Sequence, residues 1–228
     1  MKKLMPLTLL TLLWTTLHAD AASITNGSFE TPVVTSPSQF QNILSGAEPT
    51  GFGWQITSGD VDAVIQGNGF GLKAFDGKQW LDLDGFHPGG LVQSFATIGS
   101  TTYQLSFAYA NNPNATGGAT IPATATVRVF DFGSNTDLIT PLQLIHSTST
   151  IANLDWVASA TISFVALGAN TALSFTSNDP STSRGGIFLD AVSVVEATTP
   201  EPGTLLLLGS GVIGLLAHRW LRPKIKEI

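Results

Sequence analysis

Alternation of large apolar with small or polar side chains is clearest between Tyr103 and Tyr109. The large residues at 103, 105, 107 and 109 fall on one face, which is typical of a half-buried strand. In the segment 80–84, Leu81 and Leu83 share one face, and Trp80, Asp82 and Asp84 share the other. Shorter apolar runs predict further strands, whereas 39–53 has no clear period and is predicted to be a loop; the predicted strands are 53–56, 61–65, 91–97, 124–132, 156–165, 171–176 and 186–195.

These segments give roughly nine to eleven short strands and no strongly amphipathic helix. Glycine, serine, threonine and asparagine are abundant, and they favour turns over helices. We therefore predict an all-β fold, an antiparallel β-sandwich of the jelly-roll type, over residues 22–196. A chain of this length can bury a sizeable core in one domain.

Each end of the chain contains an apolar run instead of the alternating pattern of the predicted strands. Lys2 and Lys3 precede an apolar run at 4–17, and the small residues Ala19 and Ala21 follow it. This order predicts a secretory signal peptide over 1–21, with an uncleaved anchor as the alternative.

Near the C-terminus, the uncharged stretch 205–217 has 13 residues, about 20 Å as a helix. Extension to Leu221 gives 17 residues, the short limit for a membrane span. A buried core helix is the alternative, but four cations follow within eight residues, at Arg219, Arg222, Lys224 and Lys226. We predict a single membrane helix with a cytoplasmic tail, which agrees with export of the body.

The charge composition of the exported body, residues 22–199, restricts the kinds of partner that it can bind. Residues 22–199 contain 4 cations and 13 acids, a net charge of −9. Nucleic-acid binding depends on lysine and arginine at the phosphates, so we expect no nucleic-acid partner. Calcium, which prefers carboxylate oxygens, is a plausible ligand. The chain has no cysteine, which excludes disulfides, thiolate metal sites and a thiol nucleophile.

The tail resembles the PEP-CTERM sorting signal in its opening and in its basic end; the residues are Pro200, Glu201, Pro202, Gly203, Arg219 and Arg222. The resemblance covers 197–228. It implies processing near the Pro-Glu-Pro motif by an exosortase-type enzyme in the cytoplasmic membrane. It also implies release to the cell surface or to the extracellular polysaccharide matrix of a Gram-negative bacterium, with exopolysaccharide as a potential partner.

The body resembles the choice-of-anchor C type of exported bacterial domain. The resemblance rests on the start at 26–30, Gly53-Trp54 with Asp60-Val61-Asp62, Asp76-Gly77 with 81–85, Gln93-Ser94-Phe95, 103–112 and the end at 188–194. That family implies no activity. The same start and end also resemble carbohydrate-binding jelly rolls of the galactose-binding-like kind.

In those jelly rolls, a glutamate after the first strand and an aspartate on the last strand share a structural calcium ion. The resemblance places these ligands at Glu30 and Asp190. Two carboxylates brought together repel each other unless a cation lies between them. The alternative is two separate, solvated carboxylates.

A sugar site is a second hypothesis. Aromatic and acidic side chains that could bind a glycan cluster in one stretch, at Trp80, Asp82, Asp84 and His87. Trp54, Trp156 and Tyr109 could extend the aromatic platform, although Trp54 and Trp156 could equally fill the core.

We expect no enzyme activity. Asp82 and Asp84 superficially offer the carboxylate pair of a glycosidase, but the sequence also fits a strand end followed by a turn. His87 and His146 have no serine or aspartate at a recognisable triad spacing. The sequence therefore predicts an exported, non-catalytic surface or matrix protein that could bind glycans. The alternatives are a purely structural protein and a hydrolase.

Overall fold

Two antiparallel sheets face each other in the computed structural model, which describes residues 23–67 and 72–197. Six strands of the seven-stranded sheet lie in the order β1 (Phe40–Leu44), β3 (Asp60–Ile65), β4 (Gln79–Asp82), β12 (Ile187–Glu196), β6 (Thr102–Asn111) and β10 (Ile162–Val165). Its seventh strand, which also pairs with β6, is β9 (Val157–Ala158). The five-stranded sheet has the order β2 (Gln55–Ser58), β5 (Gly90–Ala96), β11 (Asn170–Ser177), β7 (Ala123–Asp131) and β8 (Leu142–His146).

The predicted all-β sandwich is thereby confirmed. A short 3₁₀ turn at Ala115–Gly117 is the only helical element within the described residues. The predicted signal peptide and C-terminal membrane helix lie outside those residues. In the part that is described, no helix has the length and apolar character needed to cross a bilayer.

The main hydrophobic core fills the space between the sheets. Strand β6 contributes Tyr103, Leu105 and Phe107, as the alternation predicted. From the opposite sheet, Phe175 packs edge-on against Phe107 with ring centroids 5.3 Å apart. Trp54 lies in the same core and is 2% exposed, so this tryptophan is a core residue and is not available as a surface platform.

A second, smaller hydrophobic cluster covers part of the outer face of the seven-stranded sheet. Leu81 and Leu83 point into the main core, whereas Trp80 points outward into this cluster, which confirms the predicted faces. Its other buried members are Val64, Leu72, Ala110, Leu154 and Phe188. Leu72 and Leu154 come from loops, so these loops close one part of the outer face and leave the rest accessible.

Three strand assignments differ from the sequence prediction. The predicted loop at 39–53 contains β1, an edge strand in which only Ile43 is buried, so it shows no alternation. Strand β8 was not predicted; it is also an edge strand, and it is short. The predicted strand 156–165 is interrupted and forms β9 and β10, which both pair with β6.

A β-bulge interrupts the pairing of β12 with β6 between Asp190 and Ser193. Ala191 in the bulge has φ of 51°, in the left-handed region. The additional residue allows both Leu189 and Val192 to face the main core, because a bulge shifts the alternation by one residue. Asp190 is 0% exposed at this point, so its carboxyl group must find its hydrogen-bond donors inside the protein.

Candidate functional site

A cleft of about 290 Å³ opens on the outer face of the seven-stranded sheet. Its floor follows one row across neighbouring strands: Asp62 on β3 pairs with Asp82 on β4, and Asp82 pairs with Phe188 on β12. Residues directly opposite each other on adjacent strands share a face, with Cβ atoms ~5 Å apart. The floor therefore places two carboxyl groups beside one aromatic ring.

The two walls of the cleft differ in chemistry. On the β1 side, Phe40 and Phe86 meet edge to face with ring centroids 6.5 Å apart, and Phe86 is 49% exposed. The opposite wall carries Asn112, Asn114 and Arg184 from the loops after β6 and before β12. A ligand in the cleft would meet aromatic carbon on one side and hydrogen-bonding groups on the other.

Asp82 is the most constrained group of the floor. Its Oδ1 accepts hydrogen bonds from the backbone N–H of Gly186 at 2.9 Å and of Asp84 at 3.1 Å. Its Oδ2 accepts one from Asn112 Nδ2 at 2.8 Å. Burial, followed by the nearby charge of Asp84, raises the pKa of Asp82 well above its ordinary value, against the effect of these donors.

Asp62 lies beside Asp82 and is more accessible. Asn42 Nδ2 donates to its Oδ1 at 2.8 Å. Burial raises the pKa of Asp62 to about 6, and the charge of Asp60 acts in the same direction. Near neutral pH this group can change between a hydrogen-bond donor and a pure acceptor.

His87 is held outside the cleft floor by Asp60. His87 Nδ1 and Asp60 Oδ2 form a hydrogen bond of 2.7 Å, with 68% of the His87 side chain exposed. Burial alone would raise the pKa of Asp60. Hydrogen bonds from His87, Asn42 and the Phe86 backbone N–H outweigh this effect and hold the pKa below its ordinary value. The predicted ligand-binding residue His87 thus anchors the loop that carries Phe86.

Trp80 is 0% exposed and does not present its ring to solvent. Phe188 packs against it at 5.5 Å and Trp156 at 6.4 Å between ring centroids. Trp156 is itself fixed, because its Nε1 donates to the Lys73 carbonyl at 2.9 Å. Trp80 therefore supports the cleft floor from within the second cluster.

Asp84 is separated from Asp82 by Gly186. The Gly186 N–H donates to Asp82, whereas a Cβ added to Gly186 would lie 2.6 Å from Asp84 Cγ. The Asp84 carboxyl group is directed toward Ser177, Ser183 and Asp179 at the end of the sandwich. The predicted pair is thus divided between two environments.

The predicted calcium ligands Glu30 and Asp190 hold one turn, residues 75–79. Glu30 Oε1 accepts from the N–H groups of Lys78 at 2.7 Å and Gln79 at 2.8 Å. Asp190 Oδ2 accepts from Phe75 and Asp76, both at 2.9 Å. Burial raises the pKa of Asp190 to about 7. Among the described residues, no three or more histidine, cysteine or acidic side chains form a metal-binding group.

Sequence reasoning missed Asp62 and Asn112, which line the cleft, and Asn42, which donates to Asp62. The alternation Asp60-Val61-Asp62 was visible, but nothing local showed that β3 would lie beside β4. The sorting residues stay predictions, because their positions fall outside the described residues; they are Pro200, Glu201, Pro202, Gly203, Arg219 and Arg222.

Similar solved structures include several carbohydrate-binding modules. The module TmCBM61 in complex with β-1,4-galactotriose is 12% identical, with a TM-score of 0.46, and the match covers 75% of this chain and 96% of that one. A family 35 module from Clostridium thermocellum is 18% identical, with a TM-score of 0.42, covering 69% and 99%. The domain is a β-sandwich similar to carbohydrate-binding modules, and at this level the likeness concerns the fold alone.

Residues 22–195 match the family described as protein of unknown function (DUF642), and the chain belongs to that family. Residues 198–219 match the PEP-CTERM protein-sorting motif, which indicates export and sorting to the cell surface. Halomucin of Haloquadratum walsbyi is 28% identical over 181 residues, which is 78% of this chain. The chain spans about 2% of the length of that curated relative.

We predict that Asp62 makes the stability of the protein depend on pH. Its folded pKa of about 6 lies above its ordinary value, so the folded state binds this proton more tightly than the unfolded state. The contribution is complete below pH ~4 and is lost as pH rises through about 6. Relative to Asp62→Asn, the wild type should lose roughly 1–3 kcal/mol of unfolding free energy between pH 4.5 and 7.5.

Urea unfolding at the two pH values measures this difference. Asp137→Asn is the control, because Asp137 is an exposed carboxyl group that pairs with Arg128 on the other sheet. Equal pH dependence in the wild type and Asp62→Asn would contradict the prediction.

Proposed function

We propose that this protein is an exported, non-catalytic component of the cell surface or extracellular matrix that binds a glycan in the cleft of the seven-stranded sheet. The observation that carries the proposal is the floor, where the carboxyl groups of Asp62 and Asp82 adjoin the ring of Phe188. Glycans present both hydroxyl groups and apolar ring faces. A concave site with one aromatic wall and a few fixed polar groups suits such a ligand.

The fixed orientation of the polar groups also supports binding. Asp82 is held by three donors and Asp62 by Asn42, so these oxygens need little ordering when a ligand arrives. Preorganised groups lose less conformational entropy on binding, which strengthens affinity. Trp80 and His87 contribute indirectly, by supporting the floor and the Phe86 loop.

The same geometry supports binding rather than turnover. Glycosidases use two carboxyl groups on either side of the scissile bond. Asp62 and Asp82 lie side by side on one floor, and both oxygens of Asp82 are already engaged by protein donors. A protein-bound carboxylate of this kind is poorly placed to attack or protonate a substrate.

We expect Phe86→Ala to weaken glycan binding by about tenfold, because a buried aromatic contact is typically worth more than ~1 kcal/mol. Phe86 is 49% exposed, so its removal should leave the core intact. A glycan array followed by calorimetry on the best ligand, with the chain purified in detergent, provides the measurement.

Phe132→Ala is the matched control, since Phe132 is 56% exposed and follows β7 of the other sheet. Equal losses in both variants would contradict binding in the cleft. Absence of binding across the array would favour a purely structural matrix protein. Release of sugars that depends on Asp62 or Asp82 would favour a hydrolase.

We further propose that the protein is held in the cytoplasmic membrane by residues 205–221 and is then processed by an exosortase-type enzyme near Pro200-Glu201-Pro202. The match to the sorting motif supports this sequence of events. Release would deliver the glycan-binding domain to the surface or to exopolysaccharide.

Glu201→Ala should retain the C-terminal segment and remain in the membrane fraction, because the motif that the enzyme recognises is altered. Mass spectrometry of the protein from membrane and medium, in a host with the sorting enzyme, measures the C-terminus. Glu196→Ala, five residues upstream at the end of β12, should be processed normally. Normal processing of Glu201→Ala would argue against the proposed motif.

Calcium at Glu30 and Asp190 is the remaining part of this proposal. The two carboxylates both hold the turn 75–79, and Asp76 of that turn accepts a hydrogen bond from Ser28 at 2.6 Å. Calcium takes six to eight oxygen ligands, so carbonyl groups or waters would complete the site. When bound, the ion would offset the repulsion among these acids.

Calcium should raise the melting temperature of the wild type relative to EDTA, and Glu30→Gln should reduce this rise by ~2–8 °C. Differential scanning fluorimetry measures both values. Asp137→Asn, which removes a carboxylate on the other sheet, should leave the rise unchanged. A rise in Glu30→Gln as large as in the wild type would exclude Glu30 as a ligand.

A further inference from the structure

A second pair of carboxyl groups lies outside the cleft, at the end of the sandwich where strands from the two sheets terminate together. Asp84 follows β4 of the seven-stranded sheet by two residues. Asp179 follows β11 of the five-stranded sheet by two residues. The charge of Asp179 acts on Asp84, so the pair brings side chains from the two sheets close together.

Three oxygen atoms of this pair make no hydrogen bond of good geometry among the described residues. They are buried, and they comprise both carboxyl oxygens of Asp84 and Oδ2 of Asp179. The remaining oxygen, Asp179 Oδ1, accepts from the N–H of Thr124 at 2.9 Å and from its hydroxyl at 2.8 Å. Asp84 is 0% exposed, so water does not replace the missing partners from outside.

Unpartnered buried carboxylates are costly, and they require a proton, a donor or a cation. The basic partners found within residues 23–67 and 72–197 belong to other acids, since His87 bonds to Asp60 and Arg128 pairs with Asp137. The basic side chains there do not neutralise Asp84 or Asp179. A divalent cation would balance both charges at once.

The groups around the pair are oxygen donors. The hydroxyls of Ser177 and Ser183 lie near enough to lower the pKa of Asp84, yet their well-formed hydrogen bonds go elsewhere. Ser183 Oγ donates to the Gly185 carbonyl at 3.1 Å, and Ser177 Oγ accepts from the Asp179 N–H at 3.1 Å. Both hydroxyl oxygens keep lone pairs for a cation.

Gly186 packs directly against the Asp84 carboxyl group. A Cβ at this position would lie 2.6 Å from Asp84 Cγ and 2.8 Å from each carboxyl oxygen. No side chain can therefore stand there without displacing Asp84. An all-oxygen site with two carboxylates and no nitrogen or sulfur ligand matches a hard cation such as Ca²⁺ rather than a transition metal.

We propose that Asp84 and Asp179 bind a Ca²⁺ ion that links the two sheets at this end of the sandwich, with the hydroxyls of Ser177 and Ser183 as additional oxygen ligands. This site is distinct from the one at Glu30 and Asp190, and it does not depend on glycan binding. Without the ion, burial raises the pKa of Asp84 to about 6, with a smaller contribution from the charge of Asp179. The cation would replace the proton that this environment favours.

Calcium titration by calorimetry tests the site, using the chain purified in detergent and stripped with chelator. Glu30→Gln should still bind one Ca²⁺ equivalent, because it leaves the Asp84 pair intact. The double variants Glu30→Gln/Asp84→Asn and Glu30→Gln/Asp179→Asn should bind none. Glu30→Gln/Asp137→Asn is the matched control and should retain the equivalent.

Thermal melts separate loss of the site from loss of folding. In EDTA, Asp84→Asn should melt at or above the wild-type temperature, since it removes repulsion within the pair, while its calcium-dependent rise should shrink. Failure of Glu30→Gln to bind any Ca²⁺ would overturn the proposal. Retention of the equivalent in either double variant would also overturn it and leave a pair that shares a proton.

Discussion

Pairing of β12 with β4 on one side and β6 on the other is the interaction on which the candidate sites depend. Alternate residues at its start face the outer side of the sheet and reach three different places. Gly186 lies between Asp82 and Asp84, Phe188 forms part of the cleft floor, and Asp190 holds the turn at 75–79. A slip of one residue in this strand would exchange its two faces and remove all three contacts together.

The chemistry of the domain follows from its shortage of cations. With 13 acids and 4 cations in residues 22–199, most carboxylates cannot find a basic partner. The fold instead supplies amide donors: Asp82 takes two backbone N–H groups and Asn112, and Glu30 takes two backbone N–H groups. Each carboxylate thereby fixes a loop or turn. Asp84 is the exception, since both its oxygens are buried without such donors.

The outer face of the seven-stranded sheet is divided into a closed part and an open part. Trp80 packs under Trp156 in the closed part, where the aromatic surface is largely buried, and Phe188 lies at the border between this part and the cleft floor. Phe86 borders the open part and remains exposed beside the carboxyl groups of Asp62 and Asp82. This division leaves most of the aromatic surface covered and exposes an aromatic ring beside polar groups in the cleft.

The sequence alone predicted the all-β class, the inward face of β6, the two faces of β4 and the sorting motif, because each depends on local alternation or on a contiguous motif. It did not predict the edge strands β1 and β8: the side chains of β1 are mostly half-exposed and show no period, and β8 is only five residues long. It placed Trp80, Asp82, Asp84 and His87 in one site, because they lie close together along the chain. The tertiary structure separates these four residues. Strand pairing places Asp62 beside Asp82, and Gly186 lies between the side chains of Asp82 and Asp84. His87 bonds to Asp60, outside the cleft floor. The spacing of residues along the chain does not reveal strand order or burial, and these two properties decide which carboxyl groups lie close together.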